Sequence, residues 1–188
     1  DLRARLPVSD PLSKAHGKLF TFAAADTLAD WAAKPTTIAG GFQTMPGVFS
    51  ADGPDAGSAL LAAALPAKLG GRIADLGAGW GYLARAILAH PGVRTLDLVE
   101  ADHAALTCAQ ANITDPRARF HWADARSFQP AHLMDAEVMN PPFHTGRDAD
   151  PALGIAFLRA ARRMLAPSGT LWLVANRHLP YDAVLSES

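Results

Sequence analysis

The chain has 188 residues, 49% apolar and 19% charged, which allows one ordinary domain with a real core plus a small appendage and excludes a disordered polymer. A formal net charge of −1 excludes a whole-molecule field that would draw it to nucleic acid or a membrane, and leaves room only for a local patch. A single cysteine, Cys108, excludes a disulfide framework and points to a reducing cytoplasm; no apolar run is long enough to span a bilayer and no secretory leader is visible.

Residues 1–35 carry weak signals. A strand over 19–22 and a helix over 23–33 fit best, with Leu28 and Trp31 spaced for one face and Lys34-Pro35 as the stop. This stretch reads as the remnant of a preceding domain, or an arm. Thr36-Thr37-Ile38 and Phe42-Gln43-Thr44-Met45 flank Ala39-Gly40-Gly41, a hairpin pattern. A turn-rich loop follows from Pro46 and contains one large aromatic, Phe49. Asp55 suits the N-cap of a helix that runs to Leu65 and is closed by Pro66.

From there the pattern alternates. Strands are expected over 72–76, 95–99, 119–122, 137–139 and 170–174. Helices are expected over 82–89, 102–113 and 151–165, and another begins after Pro180. Such alternation implies an α/β fold with a mainly parallel sheet and right-handed crossovers.

Three strand ends carry polar or glycine-rich features. Gly77, Gly79 and Gly81 follow the first strand and let the backbone turn sharply against a ligand. A dinucleotide fingerprint would need glycine at 82, where tyrosine stands. Glu100 ends the second strand, where a carboxylate accepts from ribose hydroxyls. Asp124 ends the third, where one accepts from an adenine amino group. Ligands of such sheets bind beyond the carboxyl ends of the strands, where all three sites fall.

Asn140-Pro141-Pro142-Phe143 follows the fourth strand. Its prolines remove backbone donors, so the Asn140 side-chain oxygen and the Pro141 carbonyl remain as acceptors. With Phe143 as a stacking face, the set suits a planar ring bearing an exocyclic amino group. Gripping both hydrogens favours a pyramidal nitrogen with its lone pair free to attack an electrophilic methyl. No strong general base is needed.

These residues resemble the class I S-adenosylmethionine-dependent methyltransferases. Asp75-Leu76-Gly77-Ala78-Gly79-Trp80-Gly81 looks like their first motif, Glu100 like the ribose-binding acid, and Asn140-Pro141-Pro142-Phe143 like the tetrapeptide of amino-group methylating members. Pro46-Gly47-Val48-Phe49-Ser50 with Asp55, Gly57 and Ser58, then Phe143-His144-Thr145-Gly146, and finally the stretch from Val174 to Tyr181, narrow the likeness to bacterial small-subunit ribosomal RNA guanine-N2 methyltransferases. It covers residues 36–181.

The resemblance implies a Rossmann-like methyltransferase sheet that lacks the family's final strands, with a small N-terminal hairpin or arm; residues 1–35 are the remnant of a preceding domain or an arm, and 36–188 the methyltransferase domain. Both ends of the chain look cut, and Ser13 to Leu19 reads as the tail of a degenerate first domain. The implied cofactor is S-adenosylmethionine, with S-adenosylhomocysteine as product, bound by Asp75, Gly77, Gly79, Gly81, Glu100, Asp124 and Asn140. Asn140, Pro141 and Phe143 are the expected catalytic set. Phe49, Phe143, His144 and Arg147 are expected to bind substrate, the segment from Phe49 to Ser58 closing over it.

The implied partner is ribosomal RNA or the small subunit, with no membrane, no metal and a monomeric, cytoplasmic enzyme. Adenine N6 and protein glutamine stay open as acceptors, as does a non-catalytic domain that binds cofactor and recognises RNA or a partner. The seven histidines show no metal-ligand spacing. Arg159, Arg162 and Arg163 form a cluster on one helix, read first as a solvated face. Trp80, Trp122 and Trp172 read as packing residues, with Trp80 alternatively bordering the cofactor.

Overall fold

The computed structural model of the chain describes residues 2–142, 144, 145, 148, 149 and 151–186. It divides into two compact units, Asp1–Lys34 and Pro35–Ser188.

The first unit has a small hairpin, at other residues than the strand expected over 19–22, and lacks the expected α-helix. Strands Leu12–Lys14 and Gly17–Leu19 form an antiparallel hairpin, turned by Ala15 and His16 at positive φ. The expected helix is a 3-10 segment, Asp26–Trp31, preceded by extended Ala25. Six residues that bury none of their side chains lack the packed face that sustains an α-helix. Arg5 ties the unit together by pairing with Asp30, donating to the Thr27 carbonyl at 3.1 Å and lying 5.0 Å over the Trp31 ring.

The second unit is built on five strands: β1 Gly70–Leu76, β2 Gly92–Glu100, β3 Ala118–Trp122, β4 Met134–Met139 and β5 Leu165–Leu173. Their order is β5-β4-β1-β2-β3, and every neighbouring pair is parallel. The helices are α1 Ala56–Ala64, α2 Tyr82–Leu88, α3 His103–Asn112, α4 Pro151–Met164 and α5 Asp182–Ser186. Thr36–Thr37 and Gln43–Thr44 pair as the expected hairpin around a 3-10 turn, Ala39–Gly41.

Strand alternation sends side chains to two faces. Ile73, Leu96, Leu98, Ala136 and Val138 join one core with Leu61, Leu83, Ile87 and Ala109 from α1, α2 and α3. Ala74, Leu76, Val99 and Met139 join the other with Phe157, Leu158 and Met164 from α4. Each such large side chain, fully buried, is worth about 2 kcal/mol. Central β1 is buried on both faces, as a parallel sheet covered by helices requires.

The strands run longer than expected at their starts. In β1 the extension is Gly70-Gly71, and the register with β2 shifts after Gly71. Gly71 has φ of +85°, and a Cβ there would lie 2.3 Å from an Asp135 carboxylate oxygen. That oxygen accepts the Arg72 N–H at 2.8 Å and pairs with Arg94 at 3.1 Å. In β5 the Pro167-Ser168-Gly169 stretch is a bulge: Leu165 aligns with Met134 and Thr170 with Ala136. Arg117 donates to the carbonyls of Leu88 and His90, which the end of α2 leaves open, and to that of Val93 at the start of β2. Gly154 leaves room for Tyr181, whose hydroxyl would lie 1.6 Å from a Cβ at that position.

Candidate functional site

The carboxyl ends of β1, β2, β3 and β4 meet in a cleft of about 430 Å³. Gly77 and Gly79, Glu100, Asp124, and Asn140 and Pro141 line it, one group from each strand end, with Phe49 at its side. Ala101, Ala123, Ala125, Pro142, Leu153 and Phe157 add an apolar wall. A recess of about 50 Å³ shares Phe49, Gly77, Gly79 and Asn140, and reaches Asp55, Ser58 and Trp80.

The glycine turn is tied into the sheet. Gly77 and Ala78 donate to the Val99 carbonyl at 2.9 and 3.2 Å. Gly79 donates to Glu100 Oε2 at 2.8 Å, and Asp102 donates to Oε1 at 2.7 Å. Each Glu100 oxygen keeps a further lone pair for a ligand. Gly81 does not line the cleft. It is the left-handed N-cap of α2, at φ of +91°, where a Cβ would lie 3.1 Å from Ile113.

Asp75 also stands off the cleft wall. It is fully buried, and neither carboxylate oxygen has a hydrogen-bond partner among the described residues. Burial, and then the charge of Glu100, push its carboxyl up to about 8.

Asp124 is engaged by Arg126, which its position alone does not suggest. Arg126 donates through Nε at 2.9 Å to both carboxylate oxygens, through Nη2 at 2.6 Å and through its backbone N–H at 2.8 Å. The Arg126 hydrogen bonds hold the Asp124 carboxyl below its ordinary range. Arg126 itself lines the cleft.

At the fourth strand end, Asn140 follows Val138 by two residues and so projects to the face that α1 covers. Its Nδ2 donates to Asp55 Oδ2 at 2.9 Å and to Ser58 Oγ at 3.0 Å. Asp55 is the N-cap of α1, accepting the Ser58 N–H at 2.8 Å. The cap was expected from the sequence. Its reach across the sheet to Asn140 was not, because nothing local links residues 85 positions apart.

Phe49 is 64% exposed, with its ring at the cleft and its carbonyl accepting from the Trp80 indole at 3.0 Å. Asn112 brackets the hairpin to the glycine turn: it exchanges two hydrogen bonds with the Gln43 backbone and donates to the Trp80 carbonyl at 2.8 Å. Trp80 is buried against Phe42, and Trp172 is half-buried against the core. Trp122 corrects the sequence reading: it is 67% exposed, on an outer strand, edge-on to His103. His144 lies in a two-residue strand, His144–Thr145, paired with Asp148–Ala149. Phe143 and Arg147 lie outside the described residues.

Residues 39–188 match the family model of the methyltransferase small domain. Ribosomal RNA small subunit methyltransferase C of Klebsiella pneumoniae subsp. pneumoniae is 35% identical over 147 residues, 78% of this chain and 43% of that protein. The protein of the same name from Salmonella paratyphi B is 31% identical over 163 residues, 86% of this chain and 48% of that one. The chain thus spans less than half the length of these curated relatives. Among solved structures, the T. thermophilus 16S rRNA N2 G1207 methyltransferase in complex with AdoMet and guanosine superposes with a TM-score of 0.65 at 31% identity, covering 82% of this chain and 44% of that one.

Proposed function

The chain belongs to the methyltransferase small domain family, and on that premise we propose that it transfers a methyl group from S-adenosylmethionine to the exocyclic N2 of a guanine in small-subunit ribosomal RNA. The observation that carries this reading is the convergence of a glycine turn, two carboxylates and the Asn140-Pro141 acceptors on one cleft. The names of the relatives, and the AdoMet and guanosine held by the T. thermophilus protein, support it.

The residues fit this cofactor. Glu100 offers acceptors for ribose hydroxyls and Asp124 one for the adenine amino group. Gly77 and Gly79 offer bare backbone, and Ala101, Ala123, Ala125 and Phe157 offer an apolar wall. Bound there, the cofactor supplies an electrophilic methyl. Asn140 Oδ1 and the Pro141 carbonyl accept the two hydrogens of the guanine amino group, and Phe143 and Phe49 stack on the base. His144 and Arg147 contact the surrounding RNA. Holding both hydrogens frees the nitrogen lone pair, and the two fixed dipoles stabilise the positive charge that grows there. The protein's main contribution is positioning. On this reading the enzyme meets its substrate in the cytoplasm as a monomer.

The test is methylation of unmodified ribosomal RNA and of small subunits by the full-length protein with a labelled methyl donor, followed by nucleoside identification. Labelled N2-methylguanosine is expected. Label on adenine or on protein glutamine, or none, would overturn the assignment. Light scattering of the purified protein checks the oligomeric state.

A further inference from the structure

We propose that Asp55 and Ser58 are positioning residues: they fix the side-chain amide of Asn140 so that its oxygen, and not its nitrogen, faces the acceptor amine. The inference deepens the methyl-transfer reading and rests on it.

An asparagine amide is nearly symmetrical in shape. Turning it by half a rotation exchanges an acceptor for two donors with little change in volume. In the wrong orientation Asn140 would point hydrogens at the hydrogens of the substrate amine, and the lone pair would stay delocalised into the ring. The tetrapeptide does not break that symmetry, since Pro141 and Pro142 offer no backbone donor to hold the amide oxygen.

The partner segment does. Asp55 Oδ2 lies 2.9 Å from Asn140 Nδ2, and a carboxylate oxygen only accepts. Ser58 Oγ takes the second hydrogen at 3.0 Å. Both donors of the amide are thereby used, which leaves Oδ1 as the group free to accept.

The clamp is itself fixed. Asp55 Oδ2 also accepts the Ser58 N–H at 2.8 Å, so the carboxylate cannot rotate away without uncapping α1. Between the two clamp residues stands Gly57, where a Cβ would lie 3.0 Å from Asp55 Oδ2 and 3.4 Å from Val174. A larger residue there would push on the clamp. The loop before α1 is held by Thr44, which donates to the Ala51 carbonyl at 2.6 Å, and by Trp80, which donates to the Phe49 carbonyl. A segment that precedes the sheet in sequence therefore sets the polarity of the amide at the end of β4.

The experiment uses the full-length enzyme and compares Ser58→Ala, Asp55→Ala and Asp55→Asn by rate, cofactor affinity, melting temperature and the side-chain amide signal of Asn140 in NMR. Ser58→Ala keeps the helix cap and removes one partner; it should lower kcat by about tenfold, with KM for RNA and cofactor affinity within about threefold of the parent. Asp55→Ala should lower kcat further, by about 30-fold or more. Asp55→Asn retains an oxygen that can accept and should recover most of that loss. The Asn140 NH2 protons, identified by their disappearance in Asn140→Ala, should exchange slowly with solvent in the parent and faster in Ser58→Ala.

Unchanged kcat and exchange in Ser58→Ala and Asp55→Ala would overturn the positioning role, as would an equal fall in cofactor affinity or no rescue by Asp55→Asn. A parent enzyme that makes no N2-methylguanosine would overturn the methyl-transfer reading itself, and the catalytic consequence of the clamp with it.

Discussion

The two ends of the cleft are held in different ways. At the end read as the cofactor seat, Glu100 is gripped by the N–H groups of Gly79 and Asp102, and Asp124 by Arg126, two residues on. These partners come from the same turn or from the adjoining strand end. At the end read as the acceptor seat, Asn140 is held by Asp55 and Ser58, 85 and 82 residues away in the chain. Local partners fix a charge in place and tune affinity. Remote partners fix the direction of a dipole, and they do so only while the whole unit is folded. The difference predicts that the two ends fail separately when either is cut.

The largest effect should come from Asn140→Ala. Removing an acceptor aimed at developing charge costs on the order of 10²–10³ in rate. Cofactor affinity should stay within about threefold, since Glu100 and the glycine turn keep their own partners. Single-turnover kinetics beside calorimetry check both, and an equal loss of rate and affinity would mean that the two ends are one structural unit. Glu100→Ala should do the reverse, weakening cofactor binding by about 10- to 100-fold through the loss of charge-assisted hydrogen bonds. With saturating cofactor its kcat should recover. A kcat that stays low at saturation would break the comparison from the other side.

A change to the scaffold that both ends share should move them together. Glu137, on β4, is fully buried with no hydrogen-bond partner among the described residues, and burial pushes its carboxyl up to about 8. Asp75, on the adjacent β1, is raised to about 8 as well. Both stay protonated in the fold across a range where the unfolded chain has already released those protons. Their contribution to stability is therefore complete below about pH 4 and is lost as the pH rises toward 8. Each such group changes stability by about 1.4 kcal/mol per pH unit inside that window. Glu137→Gln removes one of them. It should match the parent near pH 4 and exceed it at pH 8 by on the order of 4 kcal/mol. Denaturant melts at pH 4.5, 6 and 8 check this; identical slopes would show that Glu137 does not titrate in this way.

The smallest effect belongs to the bridge between the ends. Trp80→Phe keeps an aromatic ring beside Phe42 but removes the donor that holds the Phe49 carbonyl. A net loss of about 1 kcal/mol at that contact should raise KM for RNA by about fivefold, with less change in cofactor affinity. Calorimetry and steady-state kinetics on ribosomal RNA separate the two.

How much could be read in advance follows the same division. Every main strand and helix of the second unit was expected at its place, because hydrophobic period, helix caps and glycine turns are local signals. The groups that line the cleft at the four strand ends were expected too, because a parallel sheet with right-handed crossovers brings successive carboxyl ends to one edge. The first unit is legible only in part: a small hairpin is expected and present, but the short segments have no strong period and bury few side chains, so the strand over 19–22 and the α-helix over 23–33 do not form. Trp122 reads as a packing residue in sequence and is exposed in the fold, because residue type does not say which strand is outermost.

The identity and spacing of the residues were enough to specify a glycine turn, an acid after β2 and an asparagine with two prolines after β4. Folding decided which of these groups face the cleft. It buried Asp75 behind the cleft wall, turned Gly81 toward Ile113 and α3, and engaged Asp124 with Arg126. It also gave Asn140 a direction. A residue's type sets what it can donate or accept, but its orientation depends on partners delivered by the register of distant strands and helices, and here those partners are Asp55 and Ser58.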